Sequence, residues 1–152
     1  MRPLLDWTHC ALRKVEVLML QKEVDYEYRA AWRAGVYEWW AKQVDGGNHS
    51  EAITLTLRNE WAQRATDVLM GKWLDTWLVA ERLTGVLVVE RGKGDGRIHA
   101  HGILTGEAGR LDSAIARWQV TKGFTVRKAT TDVMGWCMYM FKATTPESVI
   151  VW

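Results

Sequence analysis

Residues 84–106, TGVLVVERGKGDGRIHAHGILTG, decide the fold. Two apolar runs, TGVLVVERG and RIHAHGILTG, flank a turn rich in glycine and aspartate, which predicts an antiparallel hairpin. Side chains two apart on a strand share a face, so His99 and His101 project together while Ile98, Ala100 and Gly102 face the other way. The hairpin sets the end of its first strand opposite the start of its second, which brings Glu90 to the histidine pair. One carboxylate and two neutral imidazoles make a donor set for a divalent metal and leave coordination positions for water or a phosphate oxygen, as a catalytic site requires. The alternative for the same residues is one hydrogen-bonded surface histidine and one packed against a helix.

Working outward, EAITLTLR (51–58) puts Ile53, Leu55 and Leu57 on one face and Thr54 and Thr56 on the other, a half-buried strand. NEWAQRATDVLMGKWLDTWLVAERL (59–83) has helical spacing, with Asn59 as its N-cap. RLDSAIARWQV (110–120) reads as a short helix and GFTVRKA (123–129) as a strand. TTDVMGWCMYMFKA (130–143) reads as a last helix, capped by Thr130, Thr131 or Asp132. The order β-α-β-β-α-β-α predicts the α+β class, with a ferredoxin-like or RRM-like antiparallel sheet and helices packed on one face.

The turn cluster DGGNHS (45–50) separates this domain, residues 51–152, from a mainly helical N-terminal extension, residues 1–50. Residues 10–43 carry helix formers and no proline, although Val24, Tyr26 and Tyr28 alternate with acidic residues and leave a short strand open. His49, in the turn, is expected to be solvated. With 152 residues, 48% of them hydrophobic, the chain can bury a core, and its ten tryptophans, unspaced by any repeat, are expected to anchor it. A net charge of +2 gives no field over the whole molecule, so a nucleic-acid partner has to be argued locally. Cys10 and Cys137 have no metal-type spacing and fit buried free thiols in a reducing compartment. No leader and no membrane-length apolar run is evident, so the expectation is a cytoplasmic protein, or one of the host cytoplasm or nucleus if the source is viral.

In the last helix Gly135, Tyr139 and Lys142 share one face, and Val133, Cys137, Met140 and Thr144 share another that suits the sheet. A tyrosine beside a lysine is a plausible nucleophile, because the ammonium favours the phenolate. The competing reading is an interfacial tyrosine with a snorkelling lysine.

Taken in order, ITLTL (53–57), IHAHGIL (98–104) and YMFK (139–142) resemble the three motifs of the HUH endonucleases, in particular the rolling-circle replication initiators of small plasmids, phages and circular single-stranded DNA viruses. The resemblance covers residues 51–145, through VVERGKGDGRIHAHGIL and the stretch from Trp118 to GFTVRKAT. It implies the HUH fold, with Mg²⁺ or Mn²⁺ held by Glu90, His99 and His101. It also implies that Tyr139 is the nucleophile that forms a 5′-phosphotyrosine, that Lys142 positions or activates it, and that Thr54 and Thr56 of the first motif are mainly structural, with DNA contact as a further role open to them. The implied substrate is single-stranded DNA at an origin or hairpin, with Arg91, Lys93, Arg97, Arg127 and Lys128 as the cations that would track its backbone. The chain has a single motif tyrosine, unlike the two-tyrosine initiators, and no Gly-x-x-x-x-Gly-Lys-Ser/Thr, so a helicase and polymerase would be separate partners. A relaxase or transposase of the same type, or a binding module that cleaves nothing, are the alternatives. A nucleotide-cofactor reading of GKGDG fails because a strand follows where a helix is needed.

Overall fold

The computed structural model describes the backbone of residues 5–129 and 132–152, and the side chains of 16–127 and 132–152. Thr130 and Thr131, two of the three expected caps, and the side chains of Cys10 and Lys128 therefore lie outside the described residues.

The chain runs α1 (Leu5–Asp45), β1 (His49–Thr56), α2 (Asn59–Ala62), α3 (Asp67–Glu81), β2 (Thr84–Arg91), β3 (Ile98–Gly106), α4 (Ala108–Thr121), β4 (Thr125–Ala129), α5 (Val133–Met140) and β5 (Ile150–Val151). This is an α+β fold around one antiparallel sheet in the order β4-β1-β3-β2-β5. The expected hairpin is β2–β3, and β3 is the central strand.

Local chemistry explains the boundaries. The segment expected as one helix over 59–83 is two, because Thr66 caps a new start: its hydroxyl accepts the Leu69 N–H at 3.1 Å. Asn59 is not a cap; α2 begins after Arg58 with no side-chain cap bond. Asp132 is the cap of α5, its carboxylate accepting the Gly135 N–H at 2.9 Å. The strand alternative at Val24–Tyr28 does not form. Helix runs through it, and Tyr28 meets Trp32, four residues on, edge to face at 6.3 Å. His49 opens β1 instead of lying in the turn.

Helices cover both faces of the sheet, not one as expected. On the first face α3 and α4 bury Met70, Leu74, Trp77, Leu111, Ile115 and Trp118 against Ile53, Leu55, Leu87, Val89 and Leu104. On the second, Val36 of α1 and Val133, Cys137, Met140 and Phe141 pack on Val86, Val88 and Ile103. The reason is visible in β2, whose run Val86-Leu87-Val88-Val89 is apolar at both parities, so each face needs a cover. Trp32 of α1 stacks on Phe141 at 5.8 Å and meets Trp152 at 5.7 Å, and Arg29 donates to the Thr144 carbonyl at 3.3 Å. Those contacts tie the C-terminal part of α1 to α5 and the chain end. Burial also pushes the Cys137 thiol up to about 11, so it is inert at neutral pH. Among the described residues no helix is long and apolar enough to cross a membrane.

Gly102 sets how closely β2 and β3 approach. A Cβ there would lie 1.8 Å from the Val86 carbonyl oxygen, a backbone atom that cannot move aside without shifting the strand. Gly94, in the hairpin turn, has open space around it. Gly102→Ala should therefore destabilise the protein by at least about 1 kcal/mol in denaturant unfolding, and Gly94→Ala by less than about 0.5 kcal/mol. Equal stability of the two variants would contradict this register.

Candidate metal centre

The site is assembled by strand register. Glu90 of β2 pairs with His99 of β3, and His99 pairs in turn with Thr56 of β1; one rung further, Val88, His101 and Thr54 are aligned. Glu90, His99 and His101 thus project from the second face, under the C-terminal end of α5. Each offers one donor atom, and the three atoms lie within 4.8 Å of one another.

The separations identify what the group lacks. Glu90 Oε1 lies 3.6 Å from His101 Nε2 and Glu90 Oε2 lies 3.9 Å from His99 Nε2. Both are longer than a hydrogen bond. Two donors that share a small divalent ion, each about 2.1 Å from it, lie no more than about 4.2 Å apart, so both separations are compatible with an ion held between them. Glu90 Oε1 is buried and has no hydrogen-bond partner among the described residues, a costly state for a carboxylate oxygen unless a cation meets it. The three residues fit a divalent metal ion.

Burial pushes the imidazole of His101, only 1% exposed, below the usual histidine range, against the opposing pull of Glu90 and of the Met140 carbonyl. The ring is therefore neutral at pH 7 and has a lone pair to give. Its Nε2 also lies 3.4 Å from the Met140 oxygen, a contact that a proton on Nε2 would serve and that a metal would replace.

The nucleophile candidate arrives from the last helix. The Tyr139 ring centre lies 5.3 Å from that of His101, and the residue is 47% exposed. Lys142 sits one turn beyond, past the end of α5, with its Nζ 4.1 Å from the Tyr139 ring centre and over the ring face. Trp136 was not singled out in the sequence and is the main addition. It stacks on Tyr139 at 5.1 Å, meets His101 edge to face at 6.4 Å, and donates its Nε1 proton to the Gly102 carbonyl at 2.9 Å. It therefore anchors the tyrosine to the residue that follows His101. The signal was its spacing of three residues from Tyr139, which places both on one side of the helix.

Glu90, His99, Tyr139 and Lys142 line an open cleft of about 500 Å³ together with Arg91 and Lys93. Asp67 and the loop 145–149 close its other side, and the Arg91 Nε lies 3.4 Å from the Asp67 carboxylate. Arg97 lies apart, on the other flank of the hairpin, where its guanidinium bonds the Asn59 side chain. Arg127 is on the first face of the sheet, paired with Glu51 at 2.8 Å and Asp112 at 2.6 Å. The structure does not bring it to the cleft. Thr54 and Thr56 lie on the second face, beside His101 and His99. His49 is at the opposite end of β1, 3.4 Å from Glu51.

Comparisons with protein-family models, with curated proteins and with solved structures find no match to this chain.

Calorimetric titration with Mn²⁺ should show one site at pH 7.5, weakened more than about tenfold by His99→Ala, His101→Ala or Glu90→Gln. Affinity should fall as the pH is lowered from 7 towards 5, because protons compete for the imidazole lone pairs. An affinity constant across that range would exclude histidine ligation.

Proposed function

We propose that this protein is a metal-dependent endonuclease and strand transferase of the HUH type, which nicks and rejoins single-stranded DNA as a rolling-circle replication initiator. The observation that carries the reading is the meeting of two segments distant in sequence: a carboxylate and two imidazoles from the hairpin, and a solvent-accessible tyrosine from α5, with the lysine three residues on lying over its ring. A structural metal site would have no use for an exposed tyrosine and an open cleft at its edge.

In the proposed reaction Tyr139 Oη attacks the scissile phosphorus. The new bond from tyrosine oxygen to phosphorus forms as the bond to the 3′ oxygen breaks, and the bonding pair leaves with that oxygen. The phenol proton is released and the 3′ oxygen takes one up, which leaves a free 3′-hydroxyl and a 5′-phosphotyrosine. Attack of a 3′-hydroxyl on the phosphotyrosine reverses these steps, so strands are rejoined without ATP. Glu90, His99 and His101 would hold Mg²⁺ or Mn²⁺, which when bound offsets the negative charge gathering on the non-bridging phosphate oxygens. Lys142 brings a second positive charge to the phenolate and the phosphate. Trp136 keeps the Tyr139 ring over the site, which limits the rotamers the nucleophile has to search. Lys93 and Arg91 at the rim meet the incoming backbone, so binding weakens as salt rises. Strand separation and synthesis fall to a separate helicase and polymerase.

Incubating the protein with a mixed pool of single-stranded oligonucleotides and Mn²⁺, followed by denaturing gels and mass spectrometry, tests the reading. A chelator-sensitive covalent adduct at Tyr139 is expected. Tyr139→Phe should abolish it while keeping Mn²⁺ affinity, and Lys142→Ala should slow it roughly a hundredfold. Nicking that survives in Tyr139→Phe would place the nucleophile elsewhere, and tight DNA binding with no adduct would favour a binding module.

A further inference from the structure

The rungs that carry the metal ligands continue across the sheet. Beyond His101 and Thr54 the next residue on the second face is Val126 of β4, and beyond His99 and Thr56 it is Phe124, whose carbonyl accepts the Thr56 N–H at 2.9 Å. Helices α1 and α5 bury the apolar side chains of β2 and β3 on this face, yet Phe124 is 66% and Val126 56% exposed. A phenylalanine open to water on a sheet, beside two threonines, adds little to the core. It lies level with the metal ligands on β3, two strands or about 10 Å away.

We infer that Phe124, with Val126 beside it, is a stacking platform for an unpaired base of the substrate strand, on a nucleotide neighbouring the one whose phosphate enters the Glu90, His99 and His101 group. The inference rests on the reading of the protein as an enzyme of single-stranded DNA and adds a subsite that would position the strand. Two exposed apolar side chains flanked by hydroxyls are too few for the core of a protein interface, whereas one aromatic face is what a single base needs. The charges agree: Lys93 and Lys142 line the cleft at one end of the row. One rung beyond Thr56, opposite Lys122, Arg58 has no ion-pair partner among the described residues. A strand laid along the row would have its phosphates near cations and one base over the ring.

The test is fluorescence anisotropy of the full chain with a labelled single-stranded oligothymidylate in chelator, where binding is read without cleavage, alongside the rate of Tyr139 adduct formation in Mn²⁺. Phe124→Ala should weaken binding roughly tenfold, Phe124→Trp should restore it, and melting temperatures should stay alike because the ring is exposed. In the adduct assay Phe124→Ala should raise the half-saturating DNA concentration and leave the saturated rate nearly unchanged. If Phe124→Ala does not fold, Phe124→Leu makes the same comparison, since it keeps an apolar side chain and loses the ring. Wild-type affinity in the alanine or leucine variant overturns the platform even where the adduct forms. Platform-dependent binding with no adduct in the wild type leaves the platform standing and removes the nicking reading. A dimer lost in Phe124→Ala with DNA affinity unchanged would assign the face to a second copy, and overturns the proposal.

Discussion

Everything at the site depends on the register of β3 between its two neighbours. Glu90 opposite His99, and His99 opposite Thr56, put one carboxylate and two imidazoles on one face in adjacent rungs. A slip of one residue in either pairing would send the histidines to the face filled by α3 and α4, where Leu87, Val89 and Leu104 leave no room for them. Two features hold that register. Gly102 lets the backbone of β2 approach where any side chain would collide with Val86, and the Trp136 indole bonds the Gly102 carbonyl. The same indole stacks on Tyr139, so the device that fixes the strand also fixes the candidate nucleophile.

The two faces do different work. The first is a conventional core, closed by α3 and α4 and by the tilted pair Trp77 and Trp118, 5.3 Å apart. The second is closed by α1 and α5 over β2, part of β3 and the start of β1, where the Trp40 indole bonds Ser50 and Ala52 is buried, and it grades into open sheet over the end of β1 and β4. The candidate metal centre sits at that boundary. His101 is buried deeply enough to stay neutral, while His99 and Tyr139 face the cleft. A reactive group at the edge of a core gains a lowered dielectric on one side and substrate access on the other.

Much of this was legible in the sequence, and the reasons differ by residue. The hairpin, the parity of His99 and His101 and the approach of Glu90 follow from period two and a glycine-rich turn, which are local signals. Tyr139 and Lys142 followed from helical spacing, but their position over the histidines needed the long-range packing of Phe141 on Trp32, which no local pattern encodes. The cover on both faces was written in the doubly apolar run Val86 to Val89 and was missed in favour of a one-sided layer. The break at Thr66 was missed because the apolar spacing carries on through it and only the hydroxyl cap interrupts it. Arg127 looked like a strand cation available to a phosphate, and only the tertiary fold reveals Glu51 and Asp112 around it.

In the proposed reaction Glu90, His99 and His101 hold one divalent cation beside Tyr139. Diffraction from crystals soaked in Mn²⁺, with data collected to record the anomalous signal of manganese, would test that directly. A single strong anomalous peak is expected in contact with the Glu90 carboxylate and both imidazoles, on the side from which Tyr139 approaches. An empty position there at saturating Mn²⁺, with Glu90 hydrogen-bonded to the histidines in its place, would contradict it.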